Sequence, residues 1–249
     1  MIRANILHYD AVTSTNDVAL DLAESGAPEG TVVASASQTR GRGRRGSSWY
    51  DEPGTNVLFS IILRPDAPVS DSHHQSFVTA VAAADCLREE CGLDPLLKWP
   101  NDVLVRGKKI AGILTEASES ATGSVVVVGI GLNVNQNEFP RGLAEIATSI
   151  LLQTGREHDV ETLCQQLVSR ILAVYQAYTQ RGFEDILAAW RKYMWGIGVK
   201  VRLVAQGRSL SGTILGVNSD GALRIRNESG KEYTLMAADM IMPQGRSGF

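Results

Sequence analysis

Between Leu96 and Ile130 the chain passes through four short apolar segments, Leu96–Trp99, Val103–Val105, Ile110–Glu116 and Val125–Ile130, joined by short links of turn-forming residues. This spacing limits the possible folds more than any other feature. A parallel crossover needs a dozen or more residues, usually a helix, so links this short make neighbouring strands pair as antiparallel hairpins. The other segments fit around such a sheet. Asn56–Leu63 reads as a buried strand, and Ile2–Tyr9 and Thr31–Ala36 as short strands. Ser14, Thr15 and Asn16 stand where helix caps stand, ahead of Val18, Leu20 and Leu22, and Gly26 and Pro28 stop that helix. Ser72–Cys91 is Ala-rich, with Phe77, Val81, Ala84 and Leu87 at helical spacing. Val160–Tyr178 and Phe183–Trp195 repeat apolar residues three and four apart, giving two amphipathic helices joined at Arg181-Gly182. The predicted class is α+β.

After Trp195 the texture changes. Val199–Val204, Leu210–Val217, Ala222–Arg226, Glu232–Met236 and Met240–Met242 are short strand candidates, with Asp220-Gly221 and Ser229-Gly230 as tight-turn signals. This predicts a small barrel beyond a boundary near Gly196, dividing the chain into residues 1–195 and 196–249, with a frayed tail from Gln244. A chain of 249 residues can bury such a core unaided. A net charge of −3 argues against a protein that mainly wraps nucleic acid. Cys86, Cys91 and Cys164 have no C-x-x-C spacing, so neither a disulfide framework nor a zinc knuckle is indicated and a reducing compartment fits. Met1–Asn5 lacks a leader pattern, and no apolar run approaches the ~18 residues needed to span a bilayer, so a cytoplasmic protein without membrane attachment is expected.

Four motifs suggest chemistry. Gly41, Gly43 and Gly46 satisfy G-x-G-x-x-G after a strand, but Pro53 and Gly54 follow, where a dinucleotide site would start a helix. With Arg40, Arg42, Arg44 and Arg45 interleaved, the run reads instead as an irregular loop whose glycines allow close backbone approach while guanidinium forks neutralise carboxylate or phosphate. A solvated basic loop or a weak nucleic-acid contact fits its composition equally well. Mutual repulsion of the four arginines predicts that residues 40–49 order only when an anion arrives. Lys98-Trp99-Pro100-Asn101-Asp102 could edge a binding groove, or could be a core Trp beside an ordinary turn. Gly107–Glu116 is a strand with a cationic entrance, and Gly129–Asn135 carries two glycines and two asparagines at the end of a buried strand. No G-K-[ST] is present, so any ATP site uses another fold than the P-loop.

Taken together and in this order, Ser14-Thr15-Asn16, Gln38–Gly46, Lys98–Asp102, Lys109–Gly112 with Glu116, and Gly129–Asn135 resemble the biotin protein ligase family. The resemblance implies a mixed sheet flanked by helices, related to class II aminoacyl-tRNA synthetases and lipoate ligases, with a C-terminal SH3-like barrel. It implies that biotin is adenylated with ATP and Mg²⁺ to biotinyl-5′-AMP. The biotinyl group then passes to a lysine of a biotin carboxyl carrier protein or domain of a biotin-dependent carboxylase of the acetyl-CoA carboxylase type. By the same analogy Arg42, Arg44 and Lys109 supply positive charge where two anions meet, with Lys109 on the carboxylate and α-phosphate. Ser14, Thr15, Asn16 and Gln38 hydrogen-bond the neutral biotin head. Gly41, Gly43, Gly112 and Gly131 permit close approach. Trp49 or Trp99 forms an apolar wall, and Asn133 meets the nucleotide end. Asp102 would orient or deprotonate the acceptor lysine, or be a turn aspartate, and Lys98 would contact ligand or pair with Asp102. No residue is expected to hold a metal by itself. A monomer or homodimer is expected. Because the catalytic motifs start almost at Met1, ligation without sequence-specific DNA binding is also expected. A lipoate ligase and a non-enzymatic nucleic-acid or adaptor module are the alternatives.

Overall fold

The computed structural model describes residues 2–120, 123–205 and 207–241. Its elements run β1 (Asn5–Tyr9), α1 (Thr15–Glu24), β2 (Thr31–Ser35), β3 (Asn56–Leu63), α2 (His74–Cys91), β4 (Pro95–Lys98), β5 (Asp102–Val105), β6 (Lys108–Ser120), β7 (Gly123–Asn133), α3 (Ile150–Thr154), α4 (Val160–Arg181) and α5 (Phe183–Lys192), then β8 (Lys200–Ala205), β9 (Arg208–Val217), β10 (Leu223–Arg226), β11 (Glu232–Leu235) and β12 (Asp239–Ile241).

The first seven strands form one sheet in the order β1-β2-β3-β7-β6-β5-β4. Only the β1/β2 pair is parallel among the described pairings of this sheet, because α1 lies in their connection and supplies the crossover. The links between β4, β5, β6 and β7 are short, and these strands pair antiparallel as the spacing predicted. Every residue of β3 is buried, because helices cover both faces of the sheet. Ile62 packs with Val33, Val125, Val127 and the α1 residues Ala19 and Ala23. Phe59, Ile61 and Leu63 project the other way, into the cluster shared with α2 and α4.

Differences from the sequence reading have local causes. The helix read as ending at Trp195 stops at Lys192, because the next residues leave it to cover the sheet's outer strand. Leu97 N donates to Tyr193 O at 2.7 Å, and Trp195 N donates to Leu97 O at 2.9 Å. α3 was not foreseen. It is a single short turn of helix capped by the Ser149 hydroxyl, which accepts from Leu152 N at 3.1 Å. β6 extends beyond Glu116 to Ser120, since pairing with β7 holds polar residues in the strand as well. The glycine and arginine run holds one 3₁₀ turn at Arg44–Gly46, in which Arg45 has φ 52°.

The last five strands form a separate antiparallel sheet in the order β11-β10-β9-β8-β12, in which β12 returns to pair with β8. The architecture is thus α+β, a mixed sheet flanked by helices with a small SH3-like sheet after it. The two sheets touch. Leu203, Ile214, Leu223 and Ile225 belong to the same apolar cluster as α2 and α5, and Trp99 Nε1 donates to Gly221 O at 3.0 Å. The frayed tail expected from Gln244 lies outside the described residues. No helix among them is long and apolar enough to cross a membrane.

Candidate active site

A cavity of about 370 Å³ opens between α1, the Gln38–Trp49 loop, the Trp99–Asp102 turn and the faces of β6 and β7. Of the residues singled out in the sequence, Ser14, Thr15, Asn16, Gln38, Arg42, Gly43, Arg44, Trp49, Lys98, Trp99, Asp102, Lys109, Gly112 and Gly131 line it, while Gly41 and Asn133 do not.

One end is neutral and polar. Ser14, Thr15 and Asn16 are buried at the N-terminus of α1, yet Ser14 makes no side-chain capping bond. A plain helix cap would spend its hydroxyl that way. Gln38 Oε1 accepts from Thr15 N at 2.8 Å and from Thr15 Oγ1 at 3.1 Å. Ser60 on β3 places its hydroxyl 2.7 Å from Thr15 Oγ1 and 2.5 Å from Asn16 Oδ1. Asn16 Nδ2 donates to Glu116 Oε2 at 2.7 Å. Gln38 is fixed from behind by Asp51, which accepts from Gln38 N at 3.3 Å and Ser37 Oγ at 3.1 Å while burial pushes its carboxyl upward. The sequence reading gave no role to Ser60, Asp51 or Glu116. A lone Ser inside the apolar run of β3 was the available signal for the first.

The floor is bare backbone. Gly112 and Gly131 face each other across β6 and β7, and the Trp49 indole lies on both. A Cβ on Gly131 would stand 2.4 Å from Trp49 Cε2, and one on Gly112 would stand 2.9 Å from Trp49 Cζ3. Gly41 has a different use. It is buried where the two legs of the loop meet, Trp49 N donates to its carbonyl at 2.9 Å, and a Cβ there would meet Trp49 O at 2.8 Å.

The other end is charged. Asp102 Oδ1 lies 2.6 Å from Lys109 Nζ, and Oδ2 lies 3.3 Å from Lys98 Nζ. Burial pushes the Asp102 carboxyl up, but the two ammonium groups outweigh it and hold it below the usual carboxylate range. The backbone beneath Lys109 is anchored on both edges, by Leu104 of β5 and by its own N–H donating to Ile146 O at 2.8 Å. Lys109 Nζ also stands 5.4 Å from the Trp49 ring centroid. Arg44 donates to Asn101 Oδ1 and Ala238 O, each at 3.5 Å, and Arg45 to Val204 O at 3.2 Å. Arg42 is paired with Glu116 and Asp17. Three of the loop's four arginines therefore have partners within the chain, carboxylates and carbonyls mostly far away in sequence.

Trp99 is 2% exposed and bonded to the C-terminal sheet, so it meets the cavity only from the core side, whereas Trp49 covers it. Asn133 is buried at the end of β7, donates to Thr148 O at 2.9 Å, and leaves its Oδ1 without a partner among the described residues. No group of three or more His, Cys, Asp or Glu side chains placed to hold a metal occurs among the described residues. Asp102, the carboxylate lining the cavity, is already saturated by two ammonium groups, so this donor set does not fit a Mg²⁺ held by the chain itself.

A neutral polar recess thus leads along a glycine floor to fixed cations. Such a site can hold an elongated acid by its uncharged head and bring its carboxylate against a second anion. Comparison with known proteins gives a consistent picture. The Biotin/lipoate A/B protein ligase family model matches residues 9–133, and the Biotin protein ligase C terminal domain model matches residues 196–242. The chain is 35% identical over 226 residues to the Biotin--[acetyl-CoA-carboxylase] ligase of Paracoccus denitrificans, covering 88% of this chain and 93% of that protein. It is 37% identical over 230 residues to the bifunctional ligase/repressor of Bacillus subtilis, covering 91% and 70%. Among solved structures, the biotin protein ligase from Aquifex aeolicus in complex with biotin and ATP superposes with a TM-score of 0.84 at 26% identity, over 96% of this chain and 99% of that one.

Proposed function

The chain belongs to the biotin protein ligase family, and we propose that it adenylates biotin with ATP and then transfers the biotinyl group to one lysine of a biotin carboxyl carrier domain, as in acetyl-CoA carboxylase. The observation that carries this reading is the single cavity joining the neutral recess at Ser14, Thr15, Asn16 and Gln38 to the cations at Lys109, Lys98 and Arg44.

In the first step a biotin carboxylate oxygen attacks the α-phosphorus of ATP, the bond to the bridging oxygen breaks, and pyrophosphate leaves. The obstacle is repulsion between two anions, and Lys109 and Arg44 reduce it from fixed positions. Asp102 holds Lys109 in place, and Lys98 completes the charge balance around it. Trp49 walls the biotin chain, Gly112 and Gly131 let ligand and indole approach the backbone, and Gly43 leaves room for the Ser47 hydroxyl. A Mg²⁺ required by the reaction would have to come with the nucleotide, since the described residues offer it no site of their own. In the second step the acceptor amine attacks the biotinyl carbonyl carbon, the bond to phosphate oxygen breaks, and AMP leaves. Because its pKa is lowered, Asp102 is a weak base, so its place in this step is to orient the amine.

Residues 1–195 form the catalytic unit of this reading and residues 196–249 the satellite that supports the loop. Asn133 belongs to the nucleotide end, through Thr148 and the segment behind Lys109. Burial pushes the Cys86 and Cys164 thiols up to about 12, and free, unreactive thiols suit a cytoplasmic enzyme.

Mass spectrometry of a carrier domain incubated with the enzyme, ATP, Mg²⁺ and either biotin or lipoate tests the proposal. A gain of one biotinyl group is expected with biotin. A gain with lipoate alone, or none with either, would overturn it.

A further inference from the structure

The guanidinium of Arg42 is held by Glu116 and Asp17 rather than by Asp102. It is bidentate on Glu116, with Nη1–Oε1 at 3.0 Å and Nη2–Oε2 at 2.7 Å, and Nη2 also lies 2.7 Å from Asp17 Oδ1. The same Glu116 Oε2 accepts from Asn16 Nδ2 at 2.7 Å. Glu116 on β6 thus joins two things separated widely in sequence, the head-group recess through Asn16 and the cationic loop through Arg42.

Resting on the reading above, we propose that Glu116, aided by Asp17, is a positioning residue that latches the Gln38–Trp49 loop over bound biotinyl-5′-AMP, with Arg42 as the bolt. The geometry supports this in three ways. Arg42 is 37% exposed and Glu116 29% exposed, so the pair sits at the rim of the cavity, where a loop can close and reopen. A bidentate fork fixes direction as well as distance, and so sets where the loop's Gly41 and Gly43 come to rest. Both carboxylates stand on rigid elements, α1 and the centre of β6, whereas Arg42 stands on the loop, so the loop is what moves. Asn16 makes the latch sensitive to the recess. Its amide donates to Glu116 while its oxygen is held by Ser60, so a ligand that reorients Asn16 alters the carboxylate that grips Arg42.

The purpose of such a latch is retention. Biotinyl-AMP is a mixed anhydride that hydrolyses if released, and the enzyme must hold it until an acceptor lysine arrives. Glu116→Gln keeps an oxygen for Asn16 and removes the charge that grips Arg42. Two measurements follow on the full chain, the rate at which preformed biotinyl-AMP is released and the rate of tryptic cleavage after Arg42. Glu116→Gln is expected to speed both by about tenfold, the effect of losing one charge-assisted hydrogen bond at a half-exposed site, and to change release more than it changes single-turnover adenylation. Arg42→Met, which also removes the Asp17 pair, should speed release at least as much, and the double variant no further than Arg42→Met alone, because Glu116 acts through Arg42. Wild-type release and wild-type cleavage in Glu116→Gln would overturn the latch, as would additive effects in the double variant. If the wild-type protein makes no biotinyl-AMP at all, the functional reading fails, and tryptic cleavage still decides whether Glu116 holds the loop.

Discussion

The glycine floor yields a prediction in which stability and function move apart. Gly131 sits inside β7, paired with Leu58 of β3 on one side and Gly112 of β6 on the other, and its φ lies outside the left-handed region. An alanine there meets no backbone strain, and the strand cannot shift because neighbours hold it on both edges. The added Cβ would lie 2.4, 2.7 and 2.8 Å from Trp49 Cε2, Cζ2 and Nε1, where carbon contacts settle at about 3.5 to 4.0 Å. The indole must therefore rise by about 1 Å or more, taking the loop and the Lys109–Trp49 contact with it. Replacing a strand glycine should leave stability unchanged or raise it by about 0.5 to 1 kcal/mol. Adenylate formation should fall by about 100-fold, the cost of a displacement of that size at a reacting centre. Thermal unfolding and biotin-dependent ATP–pyrophosphate exchange measure the two effects. Trp49→Ala in the same background separates lifting of the indole from a direct clash with ligand, since the Gly131→Ala loss should shrink once the indole is gone. A wild-type exchange rate in Gly131→Ala, or an equal loss with and without Trp49, would refute the reasoning.

Lys109→Ala should lower adenylation by at least about 100-fold while weakening biotin binding by less than about tenfold, because its ammonium acts where charge accumulates in the transition state. Equal losses in a calorimetric binding titration and in the exchange assay would remove it from that role. His74 gives a pH prediction. Burial, then the neighbouring His73, lowers its pKa from 6.5 to about 4, so the unfolded chain takes up a proton below about pH 6.5 that the folded chain refuses until about pH 4. Its contribution is complete above about pH 6.5 and is lost as pH falls toward 4, amounting to about 1 to 2 kcal/mol after allowing for a half-exposed ring. Urea midpoints for His74→Gln should fall less than wild-type midpoints between pH 7.5 and 4.5, and parallel curves would contradict this.

Much of the architecture was legible because strand pairing across short links is a local matter. The segments from Leu96 to Ile130 could only form hairpins, and β3 could be read as fully buried from its unbroken apolar run. What stayed hidden depends on distant partners. The last helix looked continuous to Trp195 because its apolar spacing continues, but the edge of β4 needed covering, and residues 193–195 supply the hydrogen bonds. Trp49 and Trp99 were indistinguishable in sequence, each beside a turn. Only the Trp99 bond to Gly221, from a different sheet, separates core from wall.

The cationic loop shows what a local charge reading leaves out. Four arginines within six positions repel if they are considered alone, and that picture predicts an open loop. Coulombic interaction depends on distance in space, and the fold places Glu116, 74 positions from Arg42, and Asp17 within 2.7 Å of its guanidinium. Arg44 and Arg45 meanwhile reach carbonyls of the C-terminal sheet. Arg42, Arg44 and Arg45 thus have separate partners, although all three line the cavity. A loop that was cationic on every side would bind any polyanion. On the latch proposed above, one that spends Arg42 on its own closure would present a narrower positive face beside Lys109, suited to a carboxylate and one phosphate.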